Sequence, residues 1–290
     1  MNLKKWGTLG LATTVILGSL LIGGHLSGAS EKKIYIHDDQ LRQELVRAAS
    51  YDPETGEKIV IEDELPTAKQ LETVESFSFW EASSIDGIQY AKNMKYLVFG
   101  ASTSEEGKQV AVDFRPLGKL TNLEMLQCYS YWTEDETTYS VQDISYVKNL
   151  TKLTSLDFYH FPVLDLTPVS NLNELIWFDT NTGVPVEIDS VAVSGTEKKV
   201  VMEHPVKYSV QFNDGDKSAT GTARNENEEY SADISVQMDG NKLTIENIPA
   251  EATYIELELQ ATSKDYYSRE QMAEKHFRAN TTVKVPLFWY

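Results

Sequence analysis

Apolar residues recur in two linked frames between about Leu71 and Thr182. The first frame is short and alternating, and four copies of it stack: Met94-Lys95-Tyr96-Leu97-Val98-Phe99, Leu123-Glu124-Met125-Leu126-Gln127-Cys128, Leu153-Thr154-Ser155-Leu156-Asp157-Phe158 and Leu175-Ile176-Trp177-Phe178-Asp179-Thr180. Each fills the first and fourth places of L-x-x-L-x-L, and three of the four fill the sixth. Upstream, Val74, Phe77 and Phe79 fit the same frame. Such alternation predicts a short strand that buries every second side chain. The second frame precedes each strand. It reads Ile85-Asp86-Gly87-Ile88 with Ala91, Val112-Asp113-Phe114-Arg115-Pro116-Leu117 with Leu120, Asp143-Ile144-Ser145-Tyr146-Val147 with Leu150, and Leu164-Asp165-Leu166-Thr167-Pro168-Val169 with Leu172. A stretch as brief as Gly118-Lys119-Leu120-Thr121 leaves no room for a full helix, so a tight apolar return turn is expected.

The strand frames start 29, 30 and 22 residues apart. The last step is the period of a short leucine-rich repeat, and the longer two absorb polar insertions from Ser102 to Gln109 and from Trp132 to Ser140. A single coil cannot cover its own apolar side, so the coils must stack, and the end of the stack needs a cap. Asp38 or Asp39 can start a capping helix with Leu41, Leu45, Val46 and Ala49 on one stripe. A turn over Asp52 to Lys58 and the run Ile59-Val60-Ile61 join it to the first repeat. After Pro185 leucine thins out. Alternating runs appear at Val206 to Phe212, Ala232 to Met238, Lys242 to Ile245, Tyr254 to Ala261 and Thr281 to Leu287, with turns at Asn213-Asp214-Gly215 and Asp239-Gly240-Asn241. They predict an antiparallel β-sandwich, with Ser268 to Phe277 as a helical insertion or exposed loop.

The first 30 residues change the picture of where the chain works. Lys4 and Lys5 precede an apolar stretch from Trp6 to Ile22, which ends in Ser27-Gly28-Ala29-Ser30. That is the anatomy of a secretory signal peptide cut after Ala29 or Ser30; an uncleaved membrane anchor is the rival reading. The expected layout is therefore a signal peptide over 1–30, a helical cap over 31–70, repeats over 71–184 and a sandwich over 185–290. A single cysteine, Cys128, excludes an internal disulfide, and it sits where Phe99 and Phe158 stand in other copies, which makes it a core thiol. The net charge of −18 argues against nucleic acid and against peripheral binding to anionic lipid.

Enzyme chemistry finds little to work with. His37, His160, His204 and His276 are scattered without metal spacing, so neither a metal nor a cofactor is expected. The segment from Asp52 to Ile59 departs from a calcium loop at Gly56 and Glu57 and reads as a plain turn. Binding is the better prospect. Residues between the buried ones of each strand point outward: Tyr96 and Val98; Met125, Gln127 and Tyr129; Ser155, Asp157 and Tyr159; Trp177 and Asp179. Tyrosine and tryptophan on a rigid sheet give contact area at small entropy cost, and the aspartates favour a basic partner. The alternative is that these rings pack on one another or beneath the insertions. The aromatic-acidic run Tyr129 to Glu136 is either a contact loop or a covering flap.

Taken together, the helical start, the segment Ser83 to Ala91, the repeat Asp165-Leu166-Thr167-Pro168-Val169-Ser170-Asn171-Leu172-Asn173-Glu174-Leu175 and the final run Asn280 to Leu287 resemble the internalins of Gram-positive bacteria. The resemblance covers nearly all of the chain beyond the leader. It implies an immunoglobulin-like domain fused to the solenoid and sharing its core, and a concave sheet that binds a protein, commonly a host surface protein. With the leader, it implies a protein secreted or associated with the bacterial cell surface; a monomer is expected. Two swollen repeats depart from the family's uninterrupted 22-residue spacing, as do Gly100, Tyr129, Tyr159 and Thr180 where asparagine is usual. Partner-binding residues expected on the concave face are Tyr96, Met125, Gln127, Tyr129, Asp157, Tyr159, Trp177 and Asp179. The alternatives are an envelope spacer and a glycan-binding module.

Overall fold

The computed structural model describes residues 32–52, 54–101, 112–130, 141–227, 231–264 and 275–290. The expected leader, both repeat insertions and most of the expected helix at 268–277 lie outside them.

Helix α1 (Asp39–Ala48) begins where the Leu41 amide donates to Asp38 Oδ1 at 2.8 Å, and it buries Leu41 and Leu45 with Ala49 just beyond its end. The turn that follows is held by Asp52, whose Oδ1 accepts from the amides of Glu54 and Thr55. Gly56 there adopts φ +70°, a conformation that costs glycine nothing. The one-turn helix α2 (Ala68–Leu71) starts in a reciprocal pair of bonds between Thr67 and Gln70.

Five parallel strands then follow: β1 (Ser76–Ala82), β2 (Tyr96–Ala101), β3 (Met125–Ser130), β4 (Ser155–Tyr159) and β5 (Trp177–Asn181). Their register is that of the sequence frame. Phe77, Leu97, Leu126, Leu156 and Phe178 pair side by side, as do Phe79, Phe99, Cys128, Phe158 and Thr180, and all ten are buried. The returns are 3-10 turns at Ile88–Tyr90, Arg115–Lys119, Ser145–Asn149 and Thr167–Asn171. A recurrent aspartate explains three of them. The amides of Arg115, Ser145 and Thr167 donate to Oδ1 of Asp113, Asp143 and Asp165 at 3.0, 2.7 and 2.9 Å, closing the chain on itself just before the turn. These features are those of a leucine-rich repeat solenoid.

The rest of the described chain is mostly strand: β6 (Val186–Glu187), β7 (Val191–Val193), β8 (Val200–Glu203), β9 (Lys217–Arg224), β10 (Ser231–Asp239), β11 (Lys242–Glu246), β12 (Tyr254–Thr262) and β13 (His276–Trp289). Strands β13, β12, β9 and the first half of β10 are antiparallel neighbours. The second half of β10 pairs with β11, which pairs with β8. Three expectations need correction. Val206 to Phe212 is no strand; it packs across the solenoid turns, exchanging backbone bonds with Leu164 and Leu166 and ending in a 3-10 turn. Phe277 is extended rather than helical, and the last strand begins at His276 rather than Thr281. Strand β9 lies in Lys-Ser-Ala-Thr-Gly-Thr-Ala-Arg, which is too polar and too rich in small residues to stand out as a strand.

The decisive feature is strand β13. Its first residues run parallel to β5, pairing His276 with Trp177, Phe277 with Phe178 and Arg278 with Asp179. The amides of Glu124, Thr154, Ile176 and His276 donate to the carbonyls of Lys95, Glu124, Thr154 and Ile176 at 2.8, 2.8, 2.9 and 2.7 Å. The last strand thus takes the place of a sixth coil. Phe277 and Ala279 extend the two interior ladders, and Phe212 lies against Phe178 and Phe277 with ring centroids 5.9 and 6.5 Å apart.

Leu156→Ala should cost about 2–5 kcal/mol, because it empties the middle of the interior ladder; a thermal melt matching wild type would contradict this packing. His204 gives a second test. It is buried where the Val206 amide donates to its Nδ1 at 3.2 Å. Burial lowers its pKa, and the nearby Lys217 charge lowers it further. The unfolded chain then takes up this proton at a higher pH than the folded one, so stability falls as pH drops from about 6.5 through the lowered folded value. Melts from pH 8 to 5 should show a smaller pH-dependent loss for His204→Asn than for wild type.

Candidate functional site

The outward side chains of the parallel strands form three rows. The first runs Ser76, Tyr96, Met125, Ser155, Trp177, His276, and the second Ser78, Val98, Gln127, Asp157, Asp179, Arg278. The third contains Gly100, Tyr129, Tyr159, Asn181 and Asn280, and Trp80 of β1 reaches it. All eight residues nominated from the sequence stand on this one face, though in unlike states. Tyr96 and Trp177 are exposed, Met125, Gln127, Tyr129 and Tyr159 half-buried, and Asp157 and Asp179 only 2% and 4% accessible.

The rings are organised by the strands beneath them. Tyr129 and Tyr159 occupy paired positions on β3 and β4 and stack at 4.9 Å and 16°. Trp80 meets Tyr129 at 5.2 Å although β2 runs between their strands. That reach is open because β2 has Gly100 at the intervening place, with no side chain to block it. At the far end Trp177 stacks on His276 at 4.5 Å and 19°. Burial lowers the His276 pKa, and Arg278 adds to this.

The carboxylates lie in the row between the rings. Arg278 donates from both Nε and an Nη atom to Asp179. Asp157 accepts from Trp177 Nε1 at 2.6 Å and from Gln127 Nε2 at 3.0 Å, so its hydrogen bonds come from neutral donors. Burial raises the Asp157 pKa; its two hydrogen bonds act the other way, and the Asp179 charge raises it further. Burial also raises Tyr129 and Tyr159, with the Asp157 charge a second cause for both. The middle row therefore carries two carboxylates and one guanidinium beneath an aromatic rim.

Sequence reasoning missed Trp80, His276 and Arg278. A signal for the last two was present: Phe277 and Ala279 stand at the spacing of the fourth and sixth places of the repeat frame. The sequence around them lacks the preceding turn and first-place leucine that mark the other copies.

Cys128 is fully buried, and burial pushes its thiol well above the ordinary range, which keeps it protonated. Among the described residues no cluster of His, Cys, Asp and Glu could hold a metal ion, and no helix is long and apolar enough to cross a membrane. A cavity of about 620 Å³ among β9, β10 and β12 is lined by Thr220, Thr222, Asp233, Glu256 and Glu258. Among the described residues its lining includes no histidine, cysteine or lysine, and Glu256 lies 3.6 Å from Arg224.

No family model matches the chain, and no curated protein does. Among solved structures it is similar to the functional domain of InlJ from Listeria monocytogenes, at 14% identity and a TM-score of 0.39, over 77% of this chain and 45% of that one. It is also similar to the internalin InlF of the same organism, at 20% identity and a TM-score of 0.31, over 52% of this chain and 45% of that one. For InlP, again from Listeria monocytogenes, the figures are 10% and 0.22 over 87% and 96%. The chain thus spans less than half the length of the first two.

Removing the Arg278 charge should leave Asp179 buried without its counter-ion. Arg278→Met is expected to lose about 1–3 kcal/mol of stability, the usual cost of orphaning a buried polar partner. Urea unfolding checks it: an unchanged midpoint would mean that the pair does not hold β13 to β5.

Proposed function

We propose that this chain is a binding protein, not an enzyme, and that it recognises a protein partner on the outward face of its parallel sheet. The carrying observation is the aromatic set Tyr96, Tyr129, Tyr159 and Trp177, held at fixed spacing by a rigid ladder of strands. Rings already stacked lose little freedom on association, and tyrosine and tryptophan dominate binding energy at protein interfaces. Met125 supplies adaptable contact between the rings, and Asp157, held by Gln127, supplies charge, while Asp179 is paired with Arg278. In this reading α1 caps the solenoid, and the antiparallel strands form an immunoglobulin-like sandwich that shares its core. The first 30 residues direct export, and the protein acts outside a bacterial cell or on its surface, as a monomer, in adhesion or contact with a host.

The test starts from a pull-down with the fragment beginning at Glu31, followed by affinity measurements on whatever protein it captures. Trp177→Ala and Tyr159→Ala should each keep the wild-type circular dichroism spectrum and weaken that affinity by about tenfold or more, as for central aromatic residues in general. Affinities equal to wild type for both would remove the concave face as the site.

A further inference from the structure

The charges of the middle row do not balance. Asp179 has Arg278, whereas Asp157 is bonded to Trp177 and Gln127, and among the described residues no lysine or arginine stands within ion-pair distance of it. A buried carboxylate with only neutral donors is costly, and an apolar or amide side chain would pack there without that cost. Packing alone therefore does not account for an aspartate at this place in the repeat, where β2 has Val98 and β3 has Gln127.

What surrounds Asp157 suggests what would balance it. Tyr129 is on β3, Tyr159 on β4 and Trp177 on β5, so three aromatic side chains border one carboxylate on adjacent strands. Aromatic faces attract cations, and a nearby carboxylate strengthens that attraction in a partly dry site. Trp177 is 37% accessible, so the socket opens to solvent on that side. The protein already uses the same chemistry elsewhere: Lys284 Nζ lies 4.8 Å from the centroid of the Tyr254 ring and 3.3 Å from a carboxylate oxygen of Glu187. With a net charge of −18, the whole molecule also draws cations toward it.

We infer that the concave face takes a lysine or arginine side chain of its protein partner in the socket bordered by Tyr129, Tyr159 and Trp177, with Asp157 as the counter-charge. The inference rests on the concave-face reading and adds to it the chemistry of the contact. The partner's cation supplies the one positive charge that the row lacks, and the rings exclude water around it. Trp177 plays two parts, since its indole holds the carboxylate from one side while its face borders the incoming group.

The probe is a set of short capped peptides, Gly-Arg-Gly-Arg-Gly and its lysine, glutamate and serine counterparts, titrated into the folded protein. The nuclear magnetic resonance signal of the Trp177 indole N–H, assigned with Trp177→Phe, is followed together with the rings of Tyr129 and Tyr159. The arginine and lysine peptides should shift these signals saturably, less so at high salt, while the glutamate and serine peptides do not. Asp157→Asn should weaken the effect at least tenfold, whereas Glu57→Gln, which removes one charge from the distant exposed turn, should not. Should Asp157→Asn fail to fold, the double variant Tyr129→Leu with Tyr159→Leu must abolish the same shifts. Equal responses to the serine peptide, or a response to chitotriose in place of the cations, would overturn the inference while leaving a binding face. Equal losses for Glu57→Gln and Asp157→Asn would reduce the effect to bulk charge and overturn it too. Silence at Trp177 with every peptide also overturns it, and the concave-face reading then depends on the affinity of the captured partner for Trp177→Ala alone.

Discussion

A parallel ladder of short strands can exist only if every coil hands its hydrogen bonds to the next, and this obligation organises the whole molecule. Each return turn brings the chain back in register, so that an amide such as Thr154 meets the carbonyl of Glu124 one coil earlier. Leucines and phenylalanines then fall on one interior line without further instruction. The last coil inherits the problem, because its outer edge would expose both unpaired backbone groups and Phe178. This chain solves it with strand β13, drawn from about a hundred residues further on, which repeats the pairing and places Phe277 against Phe178.

That closure has consequences beyond stability. The strand that seals the edge belongs equally to the antiparallel region, where it pairs with β12 along nine residues. Solenoid and antiparallel region therefore share one sheet and one core, with Phe212 packed at the junction. Such a joint resists hinge motion, because bending it would break the β5–β13 hydrogen bonds and part the aromatic contacts together. The outward face gains from the same strand: His276 stacks on Trp177 and Arg278 neutralises Asp179. A surface built from repeats is thus completed by residues outside the repeat frame.

Recognition, the role proposed for this face, draws on how its polar groups are arranged. Its polar groups are already committed to one another, Gln127 and Trp177 to Asp157 and Arg278 to Asp179. Among the described residues, none of these pairs includes a nucleophile. Fixed rings over a buried charge instead offer a preformed surface, in which little side-chain freedom remains to be lost on binding.

The sequence by itself determined the repeats. Their strands, their interior residues and the aspartate-led turns all follow from local periodicity, since alternation and turn chemistry act within a few residues of one another. It also determined which side chains share the outward face, because strand register makes that a matter of counting. Only the tertiary structure decided which of those side chains stay accessible. Asp157 and Asp179 read as outward charges, yet neighbours from other coils cover them. It also decided that Trp80 meets Tyr129 across Gly100 and that the last strand completes the solenoid. The last two outcomes depend on contacts between residues 49 and 99 positions apart, and no local pattern encodes a partner at that distance.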